Sequence, residues 1–338
     1  MSESSIPAES ESVRLLRNSV LSALSAVALA AALAGCSSGD APEPATTTAP
    51  VAADACSATS GTASDSVSVT GDFGATPTVD FEPGITADLT ERTEIITGTG
   101  PEMTAGQTAI IGYAIYNGTT GDLVDTVGMD GGDPAALPVD TSTFLVGLVK
   151  TFGCEPTGTR VVSVVPSVEA FGEQGNETLG VSPGDSLVMV MDVKPIRATG
   201  ADQPVVEGQP AVTLAEDGTP SIAIPSTDPP TDLQVTVLKK GTGSALTADA
   251  TAYVQYAGVK WSDGAGFDES WTTGVRDLSL ANVVPGFTQG LVGQTIGSQV
   301  LIVMPPALGY GEAGSSDNPL AGQTLVFVVD ILTATAGQ

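Results

Sequence analysis

The sequence predicts the α+β fold class, with two domains that are each a twisted antiparallel sheet wrapped on one short helix. The first observation is the length of 338 residues, which suits about two domains. The second is an internal repeat, and the third is that each copy has short runs of Val, Ile and Leu but little helical pattern. The 40 glycines and 23 prolines favour turns between short strands rather than long helices.

The repeat relates residues 77–197 to residues 220–335 as tandem copies. Matching residues lie 143 positions apart in the first part of the copies and 139 apart in the second part. The first copy therefore has four extra residues between the two parts. The matching pairs are Gly98/Gly241, Tyr113/Tyr256, Asp125/Asp268, Gly147/Gly286, Gly158/Gly297, Pro166/Pro305 and Gly172/Gly311.

The second copy shows the element pattern most clearly. Val284, Phe287 and Leu291 are spaced i, i+3 and i+7, which predicts a short helix that starts after Pro285 and ends near Gly297. Three runs rich in Val, Ile, Leu and Tyr with partial alternation predict strands. These runs are residues 251–261, 299–306 and 324–332.

The charge balance excludes several classes of function. Lys and Arg number 11 against 39 Asp and Glu, which gives a net charge of -28. A chain this acidic repels phosphate backbones, so we expect no nucleic-acid partner. The chain has no histidine, which removes Ser-His-Asp and Cys-His catalytic sets and the usual zinc ligands. The carboxylates have no EF-hand spacing, and we expect no metal or other cofactor.

The N-terminus carries a targeting pattern. Arg14 and Arg17 precede an apolar run over residues 20–34, which is shorter than the roughly 20 residues of a membrane-spanning helix. The run ends in Leu33-Ala34-Gly35-Cys36, which resembles the lipobox of bacterial lipoproteins. The resemblance implies a signal peptide over 1–35 and a lipidated Cys36, so that the protein lies at the extracytoplasmic face of the bacterial cell membrane and contacts it through the lipid anchor only. An ordinary signal peptide or a retained membrane helix are the alternatives.

Two further segments have linker composition. Residues 36–54 are rich in Pro, Ala and Thr and predict a flexible tether, and residues 201–219 are acidic and predict an interdomain linker. The domains are then residues 55–200 and 220–338.

Cys56 and Cys154 are the cysteines that remain after lipidation of Cys36. Since the implied compartment is oxidising, we expect a disulfide between them. It would close a loop of about 98 residues and contribute about 4–5 kcal/mol in the chain-entropy model. Two free thiols are the alternative.

Five motifs in order then resemble the FKBP-type peptidyl-prolyl cis-trans isomerases, including tandem lipobox-bearing members found in actinobacteria. The resemblance covers nearly all of residues 233–333 and implies an FKBP-like fold for both copies. The motifs are VQYAG at 254–258, DGAGFDES at 263–270, VVPGFTQGLVG at 283–293, IGSQVLIVMPPALGYGEAG at 296–314 and LVFVVDIL at 325–332.

The resemblance implies an apolar substrate pocket in the second copy. Val284, through its backbone N–H, and the Tyr310 hydroxyl would hold carbonyls of an X-Pro segment, with Phe287 under the proline ring and Asp268 at the acidic position. Taken singly, such aromatics are more often core residues, and their joint match indicates the pocket. The implied site residues are Tyr256, Phe267, Asp268, Val283, Val284, Phe287, Tyr310 and Phe327.

Two departures from the family pattern concern the rim. Thr273 stands where many members have an arginine that pairs with the pocket aspartate, and Arg276 is the candidate substitute. Leu320 is a candidate rim residue.

The first copy keeps Tyr113 and Asp125 but loses the other pocket residues. Smaller side chains and a lost hydroxyl predict a weak or inactive isomerase that holds substrate or stabilises the protein. The replacements are Val124 for Phe267, Leu148 for Phe287, Phe171 for Tyr310 and Met189 for Phe327.

The leading hypothesis is a lipid-anchored foldase that isomerises X-Pro bonds of proline-containing unfolded or nascent secreted proteins, with macrolides as implied inhibitors. One alternative is a non-catalytic proline-peptide-binding module or holdase chaperone. Another is a surface protein that acts through its negative charge alone.

Overall fold

The computed structural model describes residues 54–336. The signal peptide expected over 1–35, Cys36 and the tether up to residue 53 lie outside the described residues. Within 54–336, no helix is long and apolar enough to cross a membrane.

Residues 54–193, the first unit, form one main sheet with a short helix against it and a hairpin beside it. The elements are α1 (Thr62–Ser66), β1 (Ser68–Thr70), β2 (Thr78–Asp80), β3 (Glu91–Ile96), β4 (Thr108–Asn117), β5 (Leu123–Val127), β6 (Ala135–Pro138), α2 (Val146–Phe152), β7 (Arg160–Val165) and β8 (Leu187–Val193).

Residues 201–336, the second unit, repeat this arrangement after a connecting segment over residues 194–200. The elements are β9 (Ala201–Asp202), β10 (Ala211–Leu214), β11 (Pro220–Ala223), β12 (Gln234–Lys240), β13 (Thr251–Lys260), β14 (Gly266–Glu269), β15 (Arg276–Ser279), α3 (Pro285–Leu291), β16 (Gln299–Met304) and β17 (Leu325–Thr335).

The two sheets have the same strand order. The first runs β3-β7-β8-β4-β5 with β6 also on β4, and the second runs β12-β16-β17-β13-β14 with β15 also on β13 and with β9 as an additional strand beside β12. All these pairings are antiparallel. Mostly strand with few helices, the architecture is the expected α+β, FKBP-like fold.

One face of each sheet packs on the short helix. In the second unit, Phe287 and Leu291 of α3 join Val300, Ile302 and Val329 in one buried cluster. Pro285 is the first residue of α3, where its missing N–H has no intrahelical partner to lose. The helix ends at Leu291, six residues before the predicted end, because Gly293 takes a positive φ of 83° and turns the chain away.

The other face of each sheet lies under a hairpin that the sequence analysis missed. Val69 and Val79 of β1 and β2 pack on the first sheet, and Val212 and Ile222 of β10 and β11 pack on the second. These residues are also 143 positions apart, so the repeat begins near Ser68 and Ala211 rather than at 77 and 220.

The prediction of a linker over residues 201–219 is therefore wrong. Residues Ala201–Asp202 pair with Lys239 and Lys240 at the edge of β12, and Ala211–Leu214 form the covering hairpin. Short strands of this kind, largely exposed, give no periodic apolar pattern.

A buried aspartate marks the same place in each sheet, with different partners. In the first unit the Asp192 carboxylate accepts hydrogen bonds from Arg160 at 2.6 and 2.9 Å. In the second unit Gln299 replaces that arginine, and the Asp330 carboxylate accepts from the Gln299 amide at 2.7 Å and from the Ala198 N–H at 2.8 Å. Asp330 thus holds the connecting segment.

Cys56 and Cys154 are joined by a disulfide in the structure, and their Cα atoms are 5.3 Å apart. It ties the start of the described chain to the turn after α2. Cys154 has a φ of 63°, and its counterpart in the second unit, 139 positions on, is Gly293. A side chain in that left-handed conformation costs about 1–2 kcal/mol, which glycine avoids.

Stability should depend on pH through Asp330. Burial raises the pKa of this carboxyl from 3.8 to about 6, against opposing effects of its hydrogen bonds, Lys239 and Arg197. The folded state then binds the proton more tightly than the unfolded state does. We expect the free energy of unfolding to gain up to about 3 kcal/mol from this group as pH falls from 6 to 4.

Urea unfolding of the protein and of Asp330→Asn at pH 4.5 and 7 measures this contribution. The variant should lack the gain, whereas Asp263→Asn, which neutralises an exposed carboxylate, should keep it. An identical pH dependence in Asp330→Asn and the unchanged protein contradicts the assignment.

The hairpin of β10 and β11 should contribute strongly to the stability of the second unit. A fragment that starts at Pro220 lacks β9 and β10 and leaves outer-face residues such as Val326 and Val328 uncovered. Compared with a fragment that starts at Ala201, we expect it to lose about 2–4 kcal/mol of unfolding free energy in urea melts. Equal midpoints for the two fragments would mean that the hairpin does not stabilise the sheet.

Candidate active site

Three strands of the second sheet bring aromatic residues to the face that carries α3. Tyr256 lies on β13, Phe267 and Asp268 on β14, and Phe327 on β17. Gly258 lies between Asp268 and Phe327 in the strand register. A Cβ at Gly258 would come within 2.7 Å of the Phe327 ring and 2.9 Å of the Phe267 ring, so glycine makes room for both.

Phe327 is the centre of the aromatic cluster. Its ring centroid lies 4.6 Å from that of Phe287, 5.3 Å from that of Phe267 and 6.3 Å from that of Tyr256. The Phe267 and Phe287 contacts are edge-to-face, which is the favoured geometry for such pairs. Phe327 is 3% exposed and Phe287 8%, so together they form an apolar floor.

The polar groups lie at the rim. The Tyr256 hydroxyl donates to Asp268 Oδ2 at 2.7 Å. Burial raises the pKa of Tyr256, and its hydrogen bond to Asp268 raises that pKa further, so Tyr256 is a neutral donor at all ordinary pH values. Tyr310 follows a single 3-10 turn over Pro306–Leu308 and is 38% exposed.

The helix side of the cluster is formed by Val283, Val284 and Phe287. Val284 is the N-cap residue of α3, and Val283 and Val284 are partly buried against the same core cluster. The N–H groups at a helix start lack intrahelical acceptors, which makes them available to a ligand. The structure thus brings seven of the expected site residues into one sheet-and-helix corner, with Tyr310 on the loop beside them.

The two rim candidates of the sequence analysis, Leu320 and Arg276, have different surroundings in the structure. Leu320 packs on the core cluster beside the pocket residues. Arg276 lies on β15 opposite Val254, and its charge offsets a small part of the rise in the pKa of Tyr256. Among residues 54–336 it forms no ion pair with Asp268. Asp268 is therefore held by a tyrosine hydroxyl and not by an arginine.

The equivalent corner of the first unit is closed. The Tyr113 hydroxyl donates to Asp125 Oδ2 at 2.9 Å, but both residues are buried. The remaining space is a cavity of about 10 Å³, which holds at most one water molecule. Its lining is Ile115, Val124, Asp125, Leu145, Leu148, Phe171, Leu179, Leu187 and Met189.

The sequence analysis did not identify Ile115, a residue that distinguishes the closed corner of the first unit from the aromatic corner of the second. Ile115 is the counterpart of Gly258, 143 positions earlier, and its side chain lines the cavity from the strand side. Leu179, from a loop that differs in length between the copies, lines it as well. The repeat spacing alone could have found the Gly258/Ile115 pair.

Comparisons with known proteins agree with this geometry. Residues 243–332 match the family described as FKBP-type peptidyl-prolyl cis-trans isomerase.

Two curated relatives are matched over almost their whole length. The FK506-binding protein of Streptomyces anulatus is 34% identical over 117 residues, which is 33% of this chain and 94% of the relative. A probable FK506-binding protein of Corynebacterium glutamicum is 33% identical over 116 residues, 34% of this chain and 98% of the relative.

A third relative is matched over a smaller part of its length. The isomerase FkpA of Escherichia coli is 39% identical over 103 residues, 30% of this chain and 37% of the relative. This chain therefore belongs to the FKBP-type peptidyl-prolyl cis-trans isomerases.

Proposed function

We propose that the protein is a lipid-anchored foldase that isomerises X-Pro bonds of extracytoplasmic proteins in the aromatic pocket of its second unit. The two units are two FKBP-like domains, of which the first is weak or inactive. The observation that carries the proposal is the contrast between the two corners. One has four clustered aromatic rings with the exposed Asp268 and Tyr310 beside them, and the other has a cavity of about 10 Å³.

The residues present suit a reaction without proton transfer or covalent bonds. Rotation about an X-Pro bond breaks amide resonance, with a barrier of about 18–20 kcal/mol. The twisted amide has less charge separation than the planar one, so an apolar floor of Phe327 and Phe287 stabilises it relative to water. The Tyr310 hydroxyl and the Val284 N–H would hold the flanking carbonyls and orient the segment.

The location outside the cytoplasm is supported by the lipobox-like residues 33–36 and by the disulfide between Cys56 and Cys154, a bond that persists in oxidising compartments. The clients are then proline-containing secreted proteins that are still unfolded. Since two relatives are named as FK506-binding proteins, we also propose that a macrolide of this type occupies the pocket.

The first unit should not accept a larger side chain. Leu148→Phe restores an aromatic at the position of Phe287, but the closed cavity has no room for it. We expect the free energy of unfolding to fall by about 1–3 kcal/mol in urea melts, the usual cost of overpacking. Val168→Phe, at a site that is 77% exposed, should change it little. A neutral or stabilising Leu148→Phe would mean that this corner is open.

Isomerisation should depend on the second unit alone. In the full chain, Phe287→Leu with Tyr310→Phe changes two positions of the second pocket to their counterparts in the first unit, Leu148 and Phe171. We expect kcat/KM for a short X-Pro peptide to fall about 100-fold, comparable to loss of a positioned donor in other enzymes. Phe171→Leu in the first unit should leave the rate unchanged, and thermal melts check that each variant is folded.

Other outcomes distinguish the competing functions. Peptide binding without turnover in the unchanged protein would favour the proline-binding module or holdase. A rate that falls with Phe171→Leu would place activity in the first unit. Client binding that disappears at high salt and ignores a pocket-blocking macrolide would favour action through charge.

A further inference from the structure

A cleft between the two units contains side chains that the aromatic pocket does not use. Its volume is about 550 Å³, within the roughly 300–1,000 Å³ of small-molecule sites. Its apolar wall includes Phe73 and Ile110 from the first unit and Ile296 and Leu332 from the second. A ligand there would bury an apolar body between the two sheets.

Three of the chain's 11 cationic residues line this cleft, namely Lys194, Arg197 and Lys240. Arg197 and Lys240 form no ion pair among residues 54–336, and the Arg197 guanidinium donates to the Glu216 carbonyl at 2.6 Å. Of the nine cationic residues within 54–336, only these two and Arg276 have no carboxylate partner. The paired cations are Arg92, Lys150, Arg160, Lys194, Lys239 and Lys260.

Lys194 is only partly compensated. Its Nζ lies 3.6 Å from Asp192 Oδ2, but that carboxylate already accepts two hydrogen bonds from Arg160. Nζ also lies 5.0 Å from the centroid of the Phe73 ring, which favours a cation. Burial lowers the pKa of Lys194 below its ordinary value, so a nearby anion would relieve the cost of keeping it charged.

The three cations are not required by the fold. The first copy has one further extra residue before Asp192, whose match Asp330 lies 138 positions on, so the counterparts of Lys194 and Arg197 are Leu332 and Thr335. The counterpart of Lys240, 143 positions earlier, is Thr97. The same scaffold therefore forms without charge at these positions. Asp133, a carboxylate that lines the cleft, already accepts a hydrogen bond from the Ser244 N–H at 3.0 Å.

We infer that this cleft binds a small organic anion with an apolar body, and that the charged group of the anion lies among Lys194, Arg197 and Lys240. Charge and shape both favour such a ligand, because three cationic residues line a cleft whose wall is largely apolar.

The test uses the full chain and the fluorescent probe 1-anilinonaphthalene-8-sulfonate, with uncharged N-phenyl-1-naphthylamine as its matched neutral analogue. We expect the sulfonate to bind one site, and Lys240→Gln to weaken it about tenfold. Lys240 is exposed, so this variant should fold normally, and Lys194→Gln should add a similar loss. The neutral analogue should bind all variants equally.

Lys260→Gln is the charge-matched control, since Lys260 is paired with Asp263 away from the cleft. It should leave the sulfonate affinity unchanged, as should Phe287→Leu in the aromatic pocket, while Lys194→Gln and Lys240→Gln should keep full isomerase activity. The inference fails if the sulfonate does not bind, if its affinity ignores the Lys194 and Lys240 variants, or if it follows Phe287→Leu.

Discussion

Burial of the central strands on both faces is the constraint on which the rest of the structure depends. Every residue of β7, β8 and β16 is buried, so these strands offer apolar side chains above and below the sheet. A short helix covers one face, and without a second cover the other face would be exposed to water. The hairpins β1-β2 and β10-β11 supply that cover. This explains why the hairpin is part of each repeat and why the residues between the units are folded onto a sheet.

The aromatic cluster around Phe327 forms where this close packing is interrupted. At Gly258 the absence of a side chain lets the rings of Phe267 and Phe327 approach the strand, and the floor stays apolar while the rim stays open. At the same position of the first sheet stands Ile115, which together with Leu148 and Met189 lines the cavity of about 10 Å³ that remains there. A few substitutions on one scaffold thus separate an aromatic cluster from an ordinary aliphatic core.

The parts of the structure that the sequence predicted are those with long, periodic signals. The strands β13, β16 and β17, the start of α3 and the pairing of the copies all follow from apolar runs or fixed spacing. The hairpin strands escaped because residues 68–70 and 211–214 are short and largely exposed. Ile115 escaped because its effect depends on which side chains meet across three strands, and the cationic cleft escaped because it exists only where two units meet.

The two buried aspartates, Asp192 and Asp330, stabilise different segments of the chain in the two copies. Asp192 and Arg160 neutralise each other, and Arg160 also donates to the carbonyls of Gly71 and Ala75, so this pair fixes the hairpin loop of its own unit. Asp330 forms no ion pair within residues 54–336, and with Gln299 in place of the arginine it instead accepts hydrogen bonds from the Gln299 amide and from the Ala198 N–H of the connecting segment. Loss of the ion pair makes the ionised carboxylate costly to bury. The aspartate thereby holds the segment that carries Arg197 against the second sheet, whereas Lys194, at the start of that segment, stays on the first unit, where its N–H donates to the Ile110 carbonyl at 2.7 Å.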